Sequence, residues 1–389
     1  MTVDARDAVA LTQALVRCPS VTPEEGGALD LLQNVLDASG FVTQRQVFQA
    51  EGTPDVDNLY ARFGTGDPCL LFAGHTDVVP TGEEALWTHP PFAGVIDKGV
   101  LYGRGTTDMK GGVAASVTAA LRFIDAHQDG FNGSIAFLIT GDEEGPAVNG
   151  SVKLLQWAHE QGERWTHCIL GEPTNPDQLG DMIKIGRRGS LTGRLEVIGK
   201  QGHVAYPALA INPISDLMVL MRALKDEPLD QGTAHFDPSN LEFTSVDVGN
   251  RASNVIPNSA KAVFNIRFND LWSSVTLADA IRARLEQAAG NHIRYEIVFE
   301  PTNAEAFLTT PDAFVQTMAV RVSELTGRQT VLSTTGGTSD ARFIKNYCPV
   351  LEFGLVGQTM HQINERVETR DLQTLAQIYE AVLTDYFAG

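Results

Sequence analysis

Four short stretches of the chain are apolar without interruption: CLLFAG (69–74), IAFLIT (135–140), CILG (168–171) and VLEFG (350–354). Runs with no polar alternation predict strands covered on both faces, as in a parallel sheet flanked by helices. Residues 4–17 repeat apolar positions at Ala8, Leu11 and Leu15 and stop before Pro19, which predicts a helix. Lys110 to His127 does the same at Val113, Val117, Leu121 and Ile124. From 185 to 299 the pattern changes. RLEVIGK (194–200) and IRYEIVF (293–299) alternate, as strands with one solvated face do, with Ile293, Tyr295, Ile297 and Phe299 on one side. Two amphipathic helices lie between such strands. One opens at Asn212-Pro213 and runs through Ile214, Leu217, Met221 and Leu224; the other carries Leu277, Ile281 and Leu285. The order strand, helix, strand, strand, helix, strand is ferredoxin-like. The expected fold is therefore α/β: a helix-flanked, mostly parallel sheet built from 1–184 and 300–389, interrupted by a smaller ferredoxin-like α+β domain at 185–299.

Each buried run ends in residues of unusual chemistry. CLLFAG leads into His75 and Asp77, IAFLIT into Asp142, Glu143 and Glu144, CILG into Glu172, and VLEFG through a short loop into His361. A further acid, Asp108, sits in the glycine-rich turn GRGTTDMKGG. Ligands of such sheets bind beyond the carboxyl ends of the strands. Neighbouring carboxylates repel, and burial raises the cost of charging each. Imidazole and carboxylate are ligands for zinc and similar cations. Five donors are too many for one open catalytic zinc and suit two ions ~3.5–4 Å apart that share a carboxylate.

Composition narrows the partners. The 389 residues have a formal net charge of −19, with 43% hydrophobic and 20% charged residues. No basic field attracts a nucleic acid or an anionic membrane. An anionic small molecule must instead be met by a local cluster of arginines. The N-terminal stretch carries Asp4 and Asp7 and lacks the apolar core of a signal peptide, and no run reaches the length of a membrane span. Cys18, Cys69, Cys168 and Cys348 form no CxxC pair and read as free thiols of a reducing cytoplasm.

GHTDVVP, YGRGTTDMKGG, TGDEEG, LGEPT and MHQINE together resemble the M20 metallopeptidases, two-zinc amidohydrolases, over essentially the whole chain. The longer strings WTHPPF, IKIGRRGSL, KQGHVAYP, ASNVIP and GGTSDARF are similar to the branch that removes succinate from an N-succinylated diamino dicarboxylic acid. Removal of an acetyl group from acetylornithine, or of an acyl group from another amino acid as an aminoacylase does, is the nearest competing activity. A catalytically silent scaffold of the same family is the other alternative, and it would be expected to have lost a ligand or the base. The resemblance implies a zinc aminopeptidase-like catalytic domain in which His75 and Glu172 hold one zinc, Glu144 and His361 the other, and Asp108 bridges them, with cobalt able to replace one ion. It implies that Asp77 accepts a hydrogen bond from His75, that Glu143 is the general base, and that the Asp108–Met109 peptide is cis. It also implies a homodimer formed through the inserted domain, with His203 acting on the partner subunit's substrate. Arg187, Arg188 and Arg267 are the implied carboxylate-binding residues, with Ser190, Tyr206, Asn254 and Thr338 beside them. The family usually reads GPxNxTIH before the distal histidine, whereas this chain reads GLVGQTMH. Gly357 thus stands in place of an asparagine, a change that bears on specificity and leaves the ligands intact, with Gln358 or backbone as the substitute contact.

Overall fold

Every position of Cys69–His75 and Ser134–Thr140 is buried, as their unbroken apolar runs require. In the computed structural model, which describes residues 3–128 and 130–388, these strands are central in an eight-stranded sheet. Its order is Val42–Ala50, Thr53–Phe63, Ser134–Thr140, Cys69–His75, His167–Leu170, Val350–Glu352, Met182–Lys184, Val331–Ser333. Residues 1, 2, 129 and 389, which the expected range 1–184 and 300–389 includes, lie outside the described residues.

The sheet is mixed. Neighbours are parallel from Ser134–Thr140 to Val350–Glu352 and again between Met182–Lys184 and Val331–Ser333. They are antiparallel in the hairpin Val42–Ala50/Thr53–Phe63, where that hairpin meets Ser134–Thr140, and at Glu352 opposite Lys184. The hairpin has no sequence counterpart among the four apolar runs. Its outer strand, VTQRQVFQA, has no fully buried position, so nothing in it reads as core.

The helix Lys110–Ala126 is buried along most of its length. Glycine lets it approach the sheet. A Cβ at Gly112 would lie 2.2 Å from the Gly171 carbonyl oxygen, so a side chain here would push the helix away from the strand exit that carries Glu172. The Asp108–Met109 peptide just before this helix is cis.

Contacts divide the chain into two units, Met1–Ile185 with Thr309–Ser333 and Ser339–Gly389, and Gly186–Leu308 with Thr334–Thr338. The second unit holds a four-stranded antiparallel sheet in the order Asn240–Asp247, Ser259–Phe268, Gly189–Ile198, Arg294–Phe299. With the helices Pro213–Lys225 and Ser274–Ala289 this is a ferredoxin-like arrangement. Asn212 caps the first helix by accepting from the Ile214 N–H, with proline at the first position. That helix buries Leu217, Leu220 and Leu224, while Ile214 is 37% exposed, so its apolar residues serve two faces. All four cysteines are free thiols. Among the described residues, no helix is long and apolar enough to cross a membrane.

Candidate active site

Parallel pairing aligns the ends of Cys69–His75 and Ser134–Thr140, and the Thr76 N–H donates to the Thr140 carbonyl at 3.0 Å. The acids after Thr140 divide their tasks. Asp142 Oδ2 accepts from the Val148 and Asn149 N–H groups, both at 2.8 Å, and so pins the loop. The buried Asp77 carboxylate accepts from the Glu143 N–H at 3.3 Å and the Glu144 N–H at 3.0 Å. Thus an acid just beyond the first strand fixes where the two glutamates leave the second.

His75, Asp108, Glu144, Glu172 and His361 converge. His75 Nε2 is 3.3 Å from Asp108 Oδ1 and 3.9 Å from Glu172 Oε1. His361 Nε2 is 2.8 Å from Glu144 Oε1 and 3.2 Å from Asp108 Oδ2. Asp108 therefore presents one oxygen to each imidazole. Ligand atoms of His75, Asp108 and Glu144 lie within 4.8 Å of one another, as do those of His75, Glu143 and Glu172. His361 reaches its place with φ of 61°, a left-handed conformation uncommon outside glycine and concentrated at functional sites.

The expected hydrogen bond from His75 to the Asp77 side chain takes a different form. His75 Nδ1 is 2.9 Å from the Asp77 carbonyl oxygen and 3.6 Å from its carboxylate. The backbone carbonyl orients the ring, because the carboxylate is already engaged by the two glutamate amides.

The electrostatics describe a set of donors short of positive charge. Burial pushes the Glu143 carboxyl up to about 8, with Asp340, Glu144 and Asp108 adding to it against the pull of His75. Glu172 is raised well above the carboxylate range by burial, then by Glu143 and Asp108. Hydrogen bonds with Asp108 and Glu144 hold His361 up to about 10. Burial favours neutral His75, yet Asp108 and Glu172 outweigh it and raise that group too. His75 Nε2 and Glu172 Oε1 are buried and have no hydrogen-bond partner among the described residues. Cations shared among these five side chains would satisfy both orphaned atoms and relieve the carboxylate repulsion, so the residues fit a two-cation centre.

The other predicted residues belong to the second unit. Arg188 Nη1 donates to Asn240 Oδ1 at 3.1 Å. Arg267 is half-buried, and its guanidinium is lowered from the usual arginine value by burial and then by the nearby Arg188 charge. Neither arginine forms an ion pair among the described residues, and Arg188 Nε is buried there without a hydrogen-bond partner. Arg187 Nη1 donates to the Gly337 carbonyl oxygen at 3.0 Å. Ser190 pairs in register with Arg267, and its Oγ accepts from Asn265 at 3.1 Å. His203 stands on the short strand Gly202–His203, exposed, with Nδ1 accepting from the Ala205 N–H at 3.1 Å and the ring 5.7 Å from that of Tyr206. Asn254 and Thr338 are exposed. Back in the first unit, Gln358 donates to Asp177 at 2.9 Å.

One residue of the first unit is not singled out by the sequence. Glu365 is fully buried and gathers the backbone of the Asp108 turn. Its sequence signal is its place as the last residue of MHQINE, four positions beyond His361.

Comparison with known proteins identifies the family. The model of peptidase family M20/M25/M40 matches residues 71–385. A protein of Methylorubrum populi named succinyl-diaminopimelate desuccinylase is 64% identical over 381 residues, 98% of each chain. One of the same name from Rhodopseudomonas palustris is 58% identical over 392 residues, covering both chains fully. Among solved structures, a tripeptidase from Staphylococcus aureus superposes with a TM-score of 0.75 at 18% identity, each chain covered 100%. A dinuclear metal-binding M20 peptidase from Bacillus subtilis gives 0.68 at 16% identity, over 98% of this chain and 97% of that one. With its strand-exit histidines and acids, its family match and its full-length relatives, the chain belongs to peptidase family M20/M25/M40.

Proposed function

We propose that the protein is a two-metal amidohydrolase that cleaves N-succinyl-LL-2,6-diaminopimelate to succinate and LL-2,6-diaminopimelate, a step of diaminopimelate and lysine biosynthesis. The observation that carries the chemistry is Asp108, one oxygen toward His75 and the other toward His361, beside the orphaned Glu172 oxygen. Full-length relatives at 58–64% identity, all named for this activity, support the substrate. His75 and Glu172 would hold one zinc, Glu144 and His361 the other, with Asp108 between them and cobalt as a substitute. Two such cations supply Lewis acidity, polarising the amide carbonyl and making water acidic enough to deprotonate near neutral pH. Glu143 takes the proton of the attacking water and passes it to the leaving amine. Distance alone does not separate it from the ligands, since its carboxylate also neighbours His75 and Glu172. Its assignment as base is supported by the resemblance and by Glu144 being paired with His361 already, which leaves Glu143 as the glutamate of the pair without an imidazole partner of that kind.

Three carboxylates on the substrate require positive charge in a chain of net charge −19. Arg188 and Arg267, neighbouring guanidiniums with no acidic partner among the described residues, are the proposed carboxylate clamp, with Arg187, Ser190, Tyr206, Asn254 and Thr338 completing it. Turnover of the succinyl substrate and of N-acetylornithine on one purified sample tests the reading. A preference for the succinyl compound of at least ~10²-fold in kcat/KM is expected, because a site built for a charged group rejects an analogue lacking it. Preference for the acetyl compound would assign the protein to the competing activity.

A cytoplasmic homodimer completes the proposal. The second unit exposes Met218 (66%) and Val219 (48%) on its first helix, and Val246 (55%) on an edge strand of its sheet. An apolar helix face beside an open strand edge suits addition of a second copy across a two-fold axis. His203 would then serve the partner subunit's substrate, donating to the developing oxyanion. Mixing two inactive variants tests this. Glu143→Ala keeps His203 and lacks the base; His203→Ala keeps the base and lacks the donor. Random reassembly at equal ratio yields heterodimers as about half of all dimers, each with one complete site, so roughly a quarter of wild-type activity should return. Verified heterodimers with no recovered activity would place His203 outside the partner's reaction.

A further inference from the structure

Neither ligation nor proton transfer explains why a fully buried ion pair lies beneath the metal ligands. Arg104 and Glu365 are about as buried as charged side chains become, at 2% and 1% side-chain exposure, and Arg104 Nη1 is 2.7 Å from Glu365 Oε2. Taking two charges out of water is costly, and replacing such a pair by apolar side chains often stabilises a protein. A pair retained here calls for a local use.

Its hydrogen bonds show what that use is. Glu365 Oε1 accepts from the Thr107 N–H at 2.9 Å and the Asp108 N–H at 3.2 Å, and Oε2 accepts from the Gly105 N–H at 3.1 Å. One carboxylate thus holds three amides of the turn that carries Asp108. The same residue lies four positions after His361, and its own carbonyl accepts from the Gly103 N–H at 2.9 Å. Arg104 extends the clamp. Its guanidinium donates to the Gln362 carbonyl oxygen, next to His361, and to the Pro80 carbonyl oxygen beyond His75 and Asp77, both at 3.2 Å. It also lies over the Trp87 ring, 5.3 Å from the centroid. The pair therefore joins three ligand-bearing segments: the exit after His75, the Asp108 turn and the His361 loop.

We propose that Glu365, braced by Arg104, is a positioning residue that sets the spacing between Asp108 and His361 and thereby builds the cation site those two share with Glu144. The inference rests on the two-cation reading of the cluster. Glu365 touches neither substrate nor cation. It acts through the backbone of one ligand and the loop of another, as outer-sphere partners of metal ligands do.

The test is calorimetric titration of metal-free protein with zinc or cobalt, read beside the melting temperature and steady-state kinetics. Glu365→Gln keeps the side-chain shape but turns an amide toward backbone N–H donors. It should bind one cation within about threefold of the wild-type affinity and the second roughly 10–100-fold more weakly, the scale seen for outer-sphere partners. Its kcat should fall at ordinary metal concentration, with KM little changed. Arg104→Lys, which retains charge and a donor facing Glu365, should show the same loss in smaller measure. Val382→Ala, which opens a cavity at a fully buried position of the helix Thr369–Tyr386, controls for mere destabilisation. It should lower the melting temperature and leave both cation affinities unaltered. Folded Glu365→Gln and Arg104→Lys proteins that bind two cations as tightly as wild type would overturn the proposal. Should Glu365→Gln fail to fold, the Arg104→Lys titration decides alone. The underlying reading is tested separately by the wild type: fewer than two bound cations would remove the two-cation centre itself, whatever the variants do.

Discussion

Glu143→Gln is expected to cost about 10²–10⁴ in kcat while the protein keeps its full complement of cations. The substitution removes a proton carrier and changes almost nothing in volume. The Glu143 amide that Asp77 holds at 3.3 Å is backbone and remains, so the turn presenting Glu144 is undisturbed. Burial, first, and the neighbouring acids push the Glu143 carboxyl up to about 8. Glutamine matches the volume of the side chain it replaces, so thermal stability should stay level even as activity disappears. Activity lost, metal kept and stability undiminished form a combination that a ligand would not show. Metal analysis finding one cation missing would move Glu143 from the base to the ligands, a reassignment its proximity to His75 and Glu172 makes specific. Near-normal turnover would remove it from the chemistry altogether.

Most acids and imidazoles of the centre were legible because they come after a run of residues buried on every side, Asp108 in its glycine-rich turn being the exception. IAFLIT has only one structural use, and a chain that emerges from it into Asp142, Glu143 and Glu144 has brought charge to the sheet's edge for a reason. Legibility fell where a side chain's use depends on a partner remote in sequence. Asp77 sits two residues from His75, which suggests a side-chain bond between them. Its carboxylate instead serves amides 66 and 67 residues further on, and only the parallel pairing of two strands reveals that. Glu365 was opaque for the same reason, its three amide partners lying 257 to 260 residues earlier. The hairpin Val42–Ala50/Thr53–Phe63 was missed for another. Its outer strand buries no residue fully, so hydrophobic pattern, the signal that found the central strands, is absent from it. Ile214 shows the converse: an apolar residue at helical spacing is 37% exposed, unlike Leu217 and Leu224 further along the same helix.

Stripping the cations should abolish turnover reversibly, with activity returning on addition of zinc or cobalt, and it should change how stability depends on pH. The first effect comes from the reaction. Without a cation, water has a pKa of ~15.7 rather than about 7, and Glu143 has no sufficiently acidic water to deprotonate near neutral pH. The second comes from the donors. In the metal-free protein the Glu143 carboxyl is raised from 4.5 to about 8 by burial and His361 from 6.5 to about 10 by Asp108 and Glu144. Both groups then bind their protons more tightly folded than unfolded. Their contribution to stability is complete below the unfolded values and is lost as pH rises through the folded ones, so the metal-free protein should weaken as pH climbs from 4.5 toward 10. Glu172 and His75, both raised, act in the same direction. Cation binding has the opposite slope, since ligands must shed protons to coordinate and affinity grows with pH. The gap in melting temperature between metal-loaded and chelator-treated protein should therefore widen from ~pH 6 to ~pH 8, while the loaded enzyme's turnover falls below ~pH 6 as base and imidazoles take up protons. A gap that stays constant over that range would mean that the cluster's charges are balanced without cations. Undiminished turnover in exhaustively stripped protein would end the two-metal mechanism, because the five convergent side chains would then have no task that requires them to meet.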